Sequence, residues 1–113
     1  MALDALEGAT VCATGGTNAL SIILISERGR ILSCPETYMD KLAVGPEGKR
    51  VVSLEKTPQE NLRALADAKG VYVEDLTVVV LDRPRHDGLI DQVRKAGARV
   101  QILADGDLAA GIA

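Results

Sequence analysis

Thr77-Val78-Val79-Val80-Leu81-Asp82-Arg83-Pro84-Arg85-His86-Asp87 is the stretch that decides how this chain folds. A continuous β-branched run of this kind reads as a strand covered on both faces. Pro84 stops the strand, because proline cannot donate to a ladder. Asp87 can then cap a helix whose apolar residues Leu89, Ile90, Val93 and Ala96 recur at helical spacing. Arg83 and Arg85 therefore fall near the carboxyl end of a strand, where open α/β sheets bind ligands. Two guanidiniums beside a helix N-terminus suit a phosphate or a carboxylate.

Downstream, the helix stops at Gly97, and Arg99 to Leu103 forms a strand. A helical crossover joins it to the preceding strand, so the two run parallel. The second strand ends in Asp105-Gly106-Asp107, and Asp107 can cap a last helical segment, Leu108 to Ile112. The two strands would deliver Arg83/Arg85 and Asp105/Asp107 to one sheet edge. Arginines suit an anion, and carboxylates accept hydrogen bonds from sugar hydroxyls. Together they point to a phosphorylated polyol, while ion pairs between the two loops account for the same residues equally well.

Upstream, Thr57-Pro58-Gln59-Glu60 is a helix start: Thr57 caps, Pro58 takes the first position and Glu60 completes a capping box. Leu62, Leu65 and Ala66 form its buried stripe, and Lys69-Gly70 ends it. Val51 to Leu54 reads as a strand. Ala19 to Ser26 reads as another, returning through the turn Glu27-Arg28-Gly29-Arg30 as a hairpin with Ile31 to Cys34. Gly15-Gly16 is a tight turn, since the lysine of a phosphate-binding loop is missing. Tyr38 sits in a polar, irregular stretch, as a packed lid or as a hydroxyl offered to a ligand. Asp4 and Glu7, separated by two residues and followed by Gly8, can ligate a hard cation or simply form a solvated acidic N-terminus.

At 113 residues the chain is expected to be a single α/β domain, residues 1–113, with hairpin strands followed by a βαβ parallel unit. There is no Phe or Trp, so the core must come from Val, Ile and Leu. The net charge of −3, with Lys and Arg dispersed, argues against a nucleic-acid partner. No apolar run is long enough to span a bilayer, and Met1 to Glu7 lacks the basic start of a signal peptide. A cytoplasmic location is therefore expected. Cys12 and Cys34 read as buried free thiols, with a single disulfide as the alternative.

Four stretches in order resemble the class II fructose-1,6-bisphosphatases, the bacterial branch of the lithium-sensitive, metal-dependent phosphatases. Asp4-Ala5-Leu6-Glu7-Gly8-Ala9 resembles their Asp-Pro-x-Glu-Gly-Thr metal motif. Tyr38-Met39-Asp40-Lys41-Leu42-Ala43-Val44-Gly45-Pro46 resembles their Tyr-Met-x-Lys-Leu-x-Val-Gly-Pro segment. Arg83-Pro84-Arg85-His86 and Asp105-Gly106-Asp107 match two later motifs. The resemblance implies a partial sugar-phosphatase sandwich fold and hydrolysis of the 1-phosphate of a sugar bisphosphate. It implies Mg²⁺ or Mn²⁺ at Asp4 and Glu7, which become the catalytic pair. It implies substrate contacts from Glu7, Gly8, Ala9, Tyr38, Arg83, Pro84, Arg85, Asp105, Gly106 and Asp107.

Departures accompany the match. Family members are much longer, with further acidic ligands upstream of the metal motif and downstream of the Asp-Gly-Asp turn. Here Ala5 replaces proline, and Ala9 removes a hydroxyl expected at the phosphate. Two carboxylates are few for a cation that takes about six oxygens. A homo-oligomer or a complementing chain segment is therefore expected to complete the protein. The alternative is a catalytically inactive fragment, or an engineered core, that keeps a sugar-phosphate pocket or only an oligomerising fold.

Overall fold

Thr57 builds the best-defined helix start in the chain. Its hydroxyl accepts the Glu60 N–H at 3.2 Å, and the Glu60 carboxylate accepts the Thr57 N–H at 2.8 Å. The computed structural model describes residues 1–112. In order they form β1 (Ala2–Glu7), α1 (Ala9–Ala13), β2 (Leu20–Leu24), α2 (Pro58–Lys69), β3 (Thr77–Leu81), α3 (Asp87–Lys95), β4 (Arg99–Leu103) and α4 (Asp107–Ile112). Three short 3₁₀ turns lie at Pro46–Gly48, Val73–Asp75 and Pro84–His86. The fold is thus mixed α/β, in two compact units: Met1–Met39 with the chain from Asp105 onward, and Asp40–Ala104.

The second unit holds the expected βαβ arrangement. β3 and β4 pair in parallel from Thr77↔Arg99 to Leu81↔Leu103, and α3 is the crossover. Leu62 and Ala66 of α2, Leu76, Val93 of α3, and Ala98 form the buried cluster. This is an aliphatic core, as a chain without Phe or Trp requires. The stripe expected on α2 is the one that packs: Leu62 and Ala66 are buried, and Leu65 lies against them. β3 departs from expectation, because it is covered on one face only. Val80 is buried and Val78 half-buried, whereas Val79 is 41% exposed. Nor does Asp87 cap α3. The turn Pro84–His86 leads directly into the helix, and Asp87 is its first residue. Asp107 likewise begins α4.

The first unit corrects the expected hairpin. β2 pairs antiparallel with β1, and Ile31 to Cys34 forms no strand. Glu27 to Arg30 is a local turn closed by the Arg30 N–H to Glu27 O, with Gly29 at φ 81°. Val51 to Leu54 is not a strand either. The Val51 and Val52 N–H groups both reach Gly48 O, and Ser53 is tied to the Asn61 side chain. The N–H groups of Val51, Val52 and Ser53 thus go to local partners rather than to a neighbouring strand. Cys12 and Cys34 are unpaired, as expected, but both are exposed rather than buried. α1 buries no residue, and Cys34 lies in irregular chain.

Two substitutions rank the forces in the second unit. Leu62→Ala is expected to cost about 3 kcal/mol through the cavity it leaves. Thr57→Ala should cost about 1 kcal/mol through the lost cap. Urea denaturation of both variants checks the order, and a larger loss at Thr57 would show that local capping dominates.

Candidate functional site

Asp4 and Glu7 lie three positions apart on β1, which in a regular strand would put them on opposite faces. The ladder changes that. Asp4 pairs with Ile22 and Glu7 with Leu20, so three steps on β1 oppose two on β2. This is a β-bulge, and the extra residue returns both carboxylates to one face. Ser21 holds it, its hydroxyl donating to Ala5 O at 2.7 Å. The sequence motif gives the spacing of the two acids but not the bulge that aligns them. The only hint of it is a small polar residue interrupting the apolar run of β2.

Glu7 is the buried member, 9% exposed. Its Oε2 is shut away from solvent without a hydrogen-bond partner among the described residues. Burial pushes the Glu7 carboxyl above the usual glutamate range, helped by a hydrogen bond to the Asp107 carboxyl and by the nearby charges of Asp107, Asp105 and Asp4. Three backbone segments close around it. Gly8 has φ 80°, Asn18 φ 71° and Gly106 φ 87°. Asparagine and glycine tolerate this left-handed region best. A Cβ on Gly106 would stand 3.9 Å from Glu7 Oε2 and 3.7 Å from Asn18 O, which shows how closely the Asp105–Asp107 turn packs here. Asp105 fixes that turn by accepting the Gly106 N–H at 3.0 Å and the Thr10 N–H of α1 at 3.2 Å.

The structure therefore gathers Asp4, Glu7, Gly8, Asp105, Gly106 and Asp107 in the first unit. Ala9 follows as the first residue of α1. Tyr38 is in the same unit but in irregular chain, 83% exposed. Arg83, Pro84 and Arg85 belong to the second unit, at the carboxyl end of β3. Arg83 is half-buried and Arg85 exposed. The Arg83 guanidinium donates through Nη1 to Asp82 O at 2.7 Å and to Ala104 O at 2.8 Å.

The acidic group fits a hard divalent cation in chemistry: all its donors are oxygens, and one buried oxygen has no partner. It does not complete a coordination shell. Among the described residues, no three His, Cys, Asp or Glu side chains are disposed to hold a metal ion.

The sequence profile of the bacterial fructose-1,6-bisphosphatases, glpX-encoded, matches residues 1–113. The chain belongs to this family. It is similar to proteins named D-fructose 1,6-bisphosphatase class 2/sedoheptulose 1,7-bisphosphatase. The one from Prochlorococcus marinus (strain NATL1A) is 42% identical over 112 residues, 99% of this chain and 34% of that protein. Those from Synechococcus sp. (strain JA-3-3Ab) and Microcystis aeruginosa are 44% and 43% identical, each over 99% of this chain and 32% of theirs. The chain thus spans about a third of the length of these curated relatives. No helix among the described residues is long and apolar enough to cross a membrane.

The raised Glu7 pKa makes a signed prediction. The folded chain holds the Glu7 proton more tightly than the unfolded chain. Its contribution to stability is therefore greatest below the ordinary glutamate range and is lost as pH rises through the raised value. Glu7→Gln should melt higher than the unsubstituted chain at neutral pH, and the gap should close in acid. Ser21→Ala should let the bulge relax and bring the Glu7 titration, followed by carboxyl carbon NMR, back toward the ordinary range. An unmoved titration would detach Ser21 from the site.

Proposed function

We propose that this chain is the central part of a class II sugar bisphosphatase, which hydrolyses the 1-phosphate of fructose 1,6-bisphosphate or of its seven-carbon counterpart. The observation that carries this is the buried Glu7 oxygen, unpartnered in an acidic group where the family motif places its metal-binding pair. Crowded carboxylates raise one another's pKa, and a divalent cation relieves that repulsion. Asp4 and Glu7 would hold Mg²⁺ or Mn²⁺, with water, substrate phosphate and side chains outside this stretch of sequence as further ligands. When bound, such a cation polarises phosphoryl oxygens and makes water a stronger nucleophile at neutral pH.

The chain's own residues do the rest. Gly8 lets the backbone approach the scissile phosphate, and Ala9 lies beside it without a hydroxyl to offer. Asp105, Gly106 and Asp107 accept hydrogen bonds from sugar hydroxyls, and Tyr38 adds a phenol at the substrate. Arg83, Pro84 and Arg85 form the turn that takes the non-reacting phosphate, because guanidinium donors match phosphate oxygens in pairs. Water adds to phosphorus, the bond to the sugar oxygen breaks, and that oxygen leaves with a proton. The products are inorganic phosphate and a sugar monophosphate.

In the whole protein we take residues 1–113 as part of one α/β domain with the sugar-phosphatase sandwich fold, working in the cytoplasm. Apolar side chains on β1 and β2 remain uncovered: Leu3 and Ile23 are each 64% exposed. A paired two-stranded sheet with such a surface is not stable alone. Further segments of the same fold, or a second copy, are the natural cover.

The test is Mn²⁺-dependent phosphate release from fructose 1,6-bisphosphate, with Asp4→Ala purified in parallel. Activity that disappears in Asp4→Ala supports the proposal. Equal background in both means that this chain keeps the family's fold without its chemistry.

A further inference from the structure

α1 begins without a cap of its own. The first N–H groups of a helix have no partner inside it, and the side chain of the preceding residue usually meets one of them. Here that residue is Gly8, at φ 80°, which has no side chain to offer. The acceptor comes instead from far along the chain. Asp105 Oδ2 accepts the Thr10 N–H at 3.2 Å, across 95 positions of sequence. Thr10 is the second residue of the helix, the place that a capping aspartate reaches. The other oxygen of the same carboxylate, Oδ1, accepts the Gly106 N–H at 3.0 Å. One side chain thus grips two backbone segments, the start of α1 and its own turn. A carboxylate has roughly four acceptor sites, so this task is separate from any sugar hydroxyl that Asp105 meets.

Packing beside the tie is close. A Cβ on Gly8 would stand 3.6 Å from the Ala19 Cα and 3.8 Å from the Gly106 Cα. The turn lies against the Glu7 oxygen and brings Asp107 within hydrogen-bonding reach of Glu7. Repulsion among carboxylates pushes such a turn away, so a bond must hold it. A carboxylate that accepts backbone N–H groups makes the stronger, charge-assisted kind of hydrogen bond.

We infer that Asp105 is a positioning residue, whose carboxylate fastens the 105–107 turn to the start of α1 and so holds the acidic group around Glu7 closed. The inference rests on the reading of that group as a cation site, which gives the closure its purpose. Oxygens held in place by neighbouring bonds take up a cation more tightly than oxygens that must first be gathered.

NMR and Mn²⁺ binding on the full chain decide it. The unsubstituted chain should show cross-peaks from the Thr10 N–H to the Asp105 Hβ protons, and between the Hα protons of Gly8 and Gly106. Absence of the first overturns the inference before any variant is made. Asp105→Ala should move the Thr10 and Gly106 N–H signals upfield and abolish the Gly8–Gly106 cross-peak. It should also weaken Mn²⁺ binding, followed by the EPR signal of the free ion, at least about tenfold. Asp105→Asn loses the charge but keeps an acceptor oxygen, and asparagine caps about as well as aspartate. It should keep the Gly8–Gly106 cross-peak and bind Mn²⁺ within about threefold of the unsubstituted chain.

A Gly8–Gly106 cross-peak that survives in Asp105→Ala means that something else holds the turn, and the inference fails. It fails too if Asp105→Asn keeps the cross-peak yet loses at least about tenfold in Mn²⁺ affinity, because Asp105 then acts through its charge and not through position. The unsubstituted chain and Asp105→Asn can each overturn the inference even where Asp105→Ala does not fold. If the unsubstituted chain binds no Mn²⁺ while the cross-peaks behave as stated, the cation reading falls and the tie made by Asp105 stands.

Discussion

Like charge pressed together in a small volume is the constraint on which the first unit depends. Asp4, Asp105 and Asp107 all act on Glu7, the one of the four that is buried. A carboxylate in such surroundings is stabilised by a proton or by a cation. Burial and these neighbours hold the Glu7 carboxyl above the usual glutamate range. Its Oε2 has no hydrogen-bond partner among the described residues. Buried oxygens of this kind are costly, and a fold concerned only with stability would replace Glu7 with an apolar residue. That Glu7 stands here, inside a family motif, is the physical argument for function over stability.

The backbone around Glu7 departs from regular geometry in several places. A bulge turns a three-residue spacing into a same-face pair, Ser21 fastens the bulge, and left-handed residues at 8, 18 and 106 let three segments close in. The bulge gives up regular ladder pairing, and Asn18 is the one described non-glycine residue at positive φ. They are where local preference yields to the needs of a site.

Legibility in the sequence follows the range of the interaction. The α2 cap, its buried stripe and the parallel β3–β4 pair depend on nearby residues or on a crossover rule, and all were readable. The partner of β2 was not. A turn at Glu27–Arg30 suggested a neighbour in sequence, whereas the real partner, β1, lies beyond α1. β1 hid itself because its bulge breaks the period-2 pattern that marks a strand. The β-branched run of β3 suggested cover on both faces, but β-branched residues also suit a strand with one open face. In the first unit, the motif gave the spacing of the two acids Asp4 and Glu7. The bulge, the Asn18 backbone and the carbonyl contacts of Arg83 are tertiary, and no local pattern announces them.

The two units treat oxygen atoms in opposite ways. The first presses carboxylates together around Glu7 and leaves its buried Oε2 without a hydrogen-bond partner among the described residues. The second gives the carbonyls at the ends of β3 and β4 donors: Arg83 Nη1 spans Asp82 O and Ala104 O, and His86 Nδ1 lies against Leu81 O. Satisfied carbonyls stiffen a turn at little cost, whereas crowded carboxylates raise the energy of the folded chain until a proton or a cation joins them. Stability is therefore kept in the second unit and given up in the first, at the residue that the family motif carries.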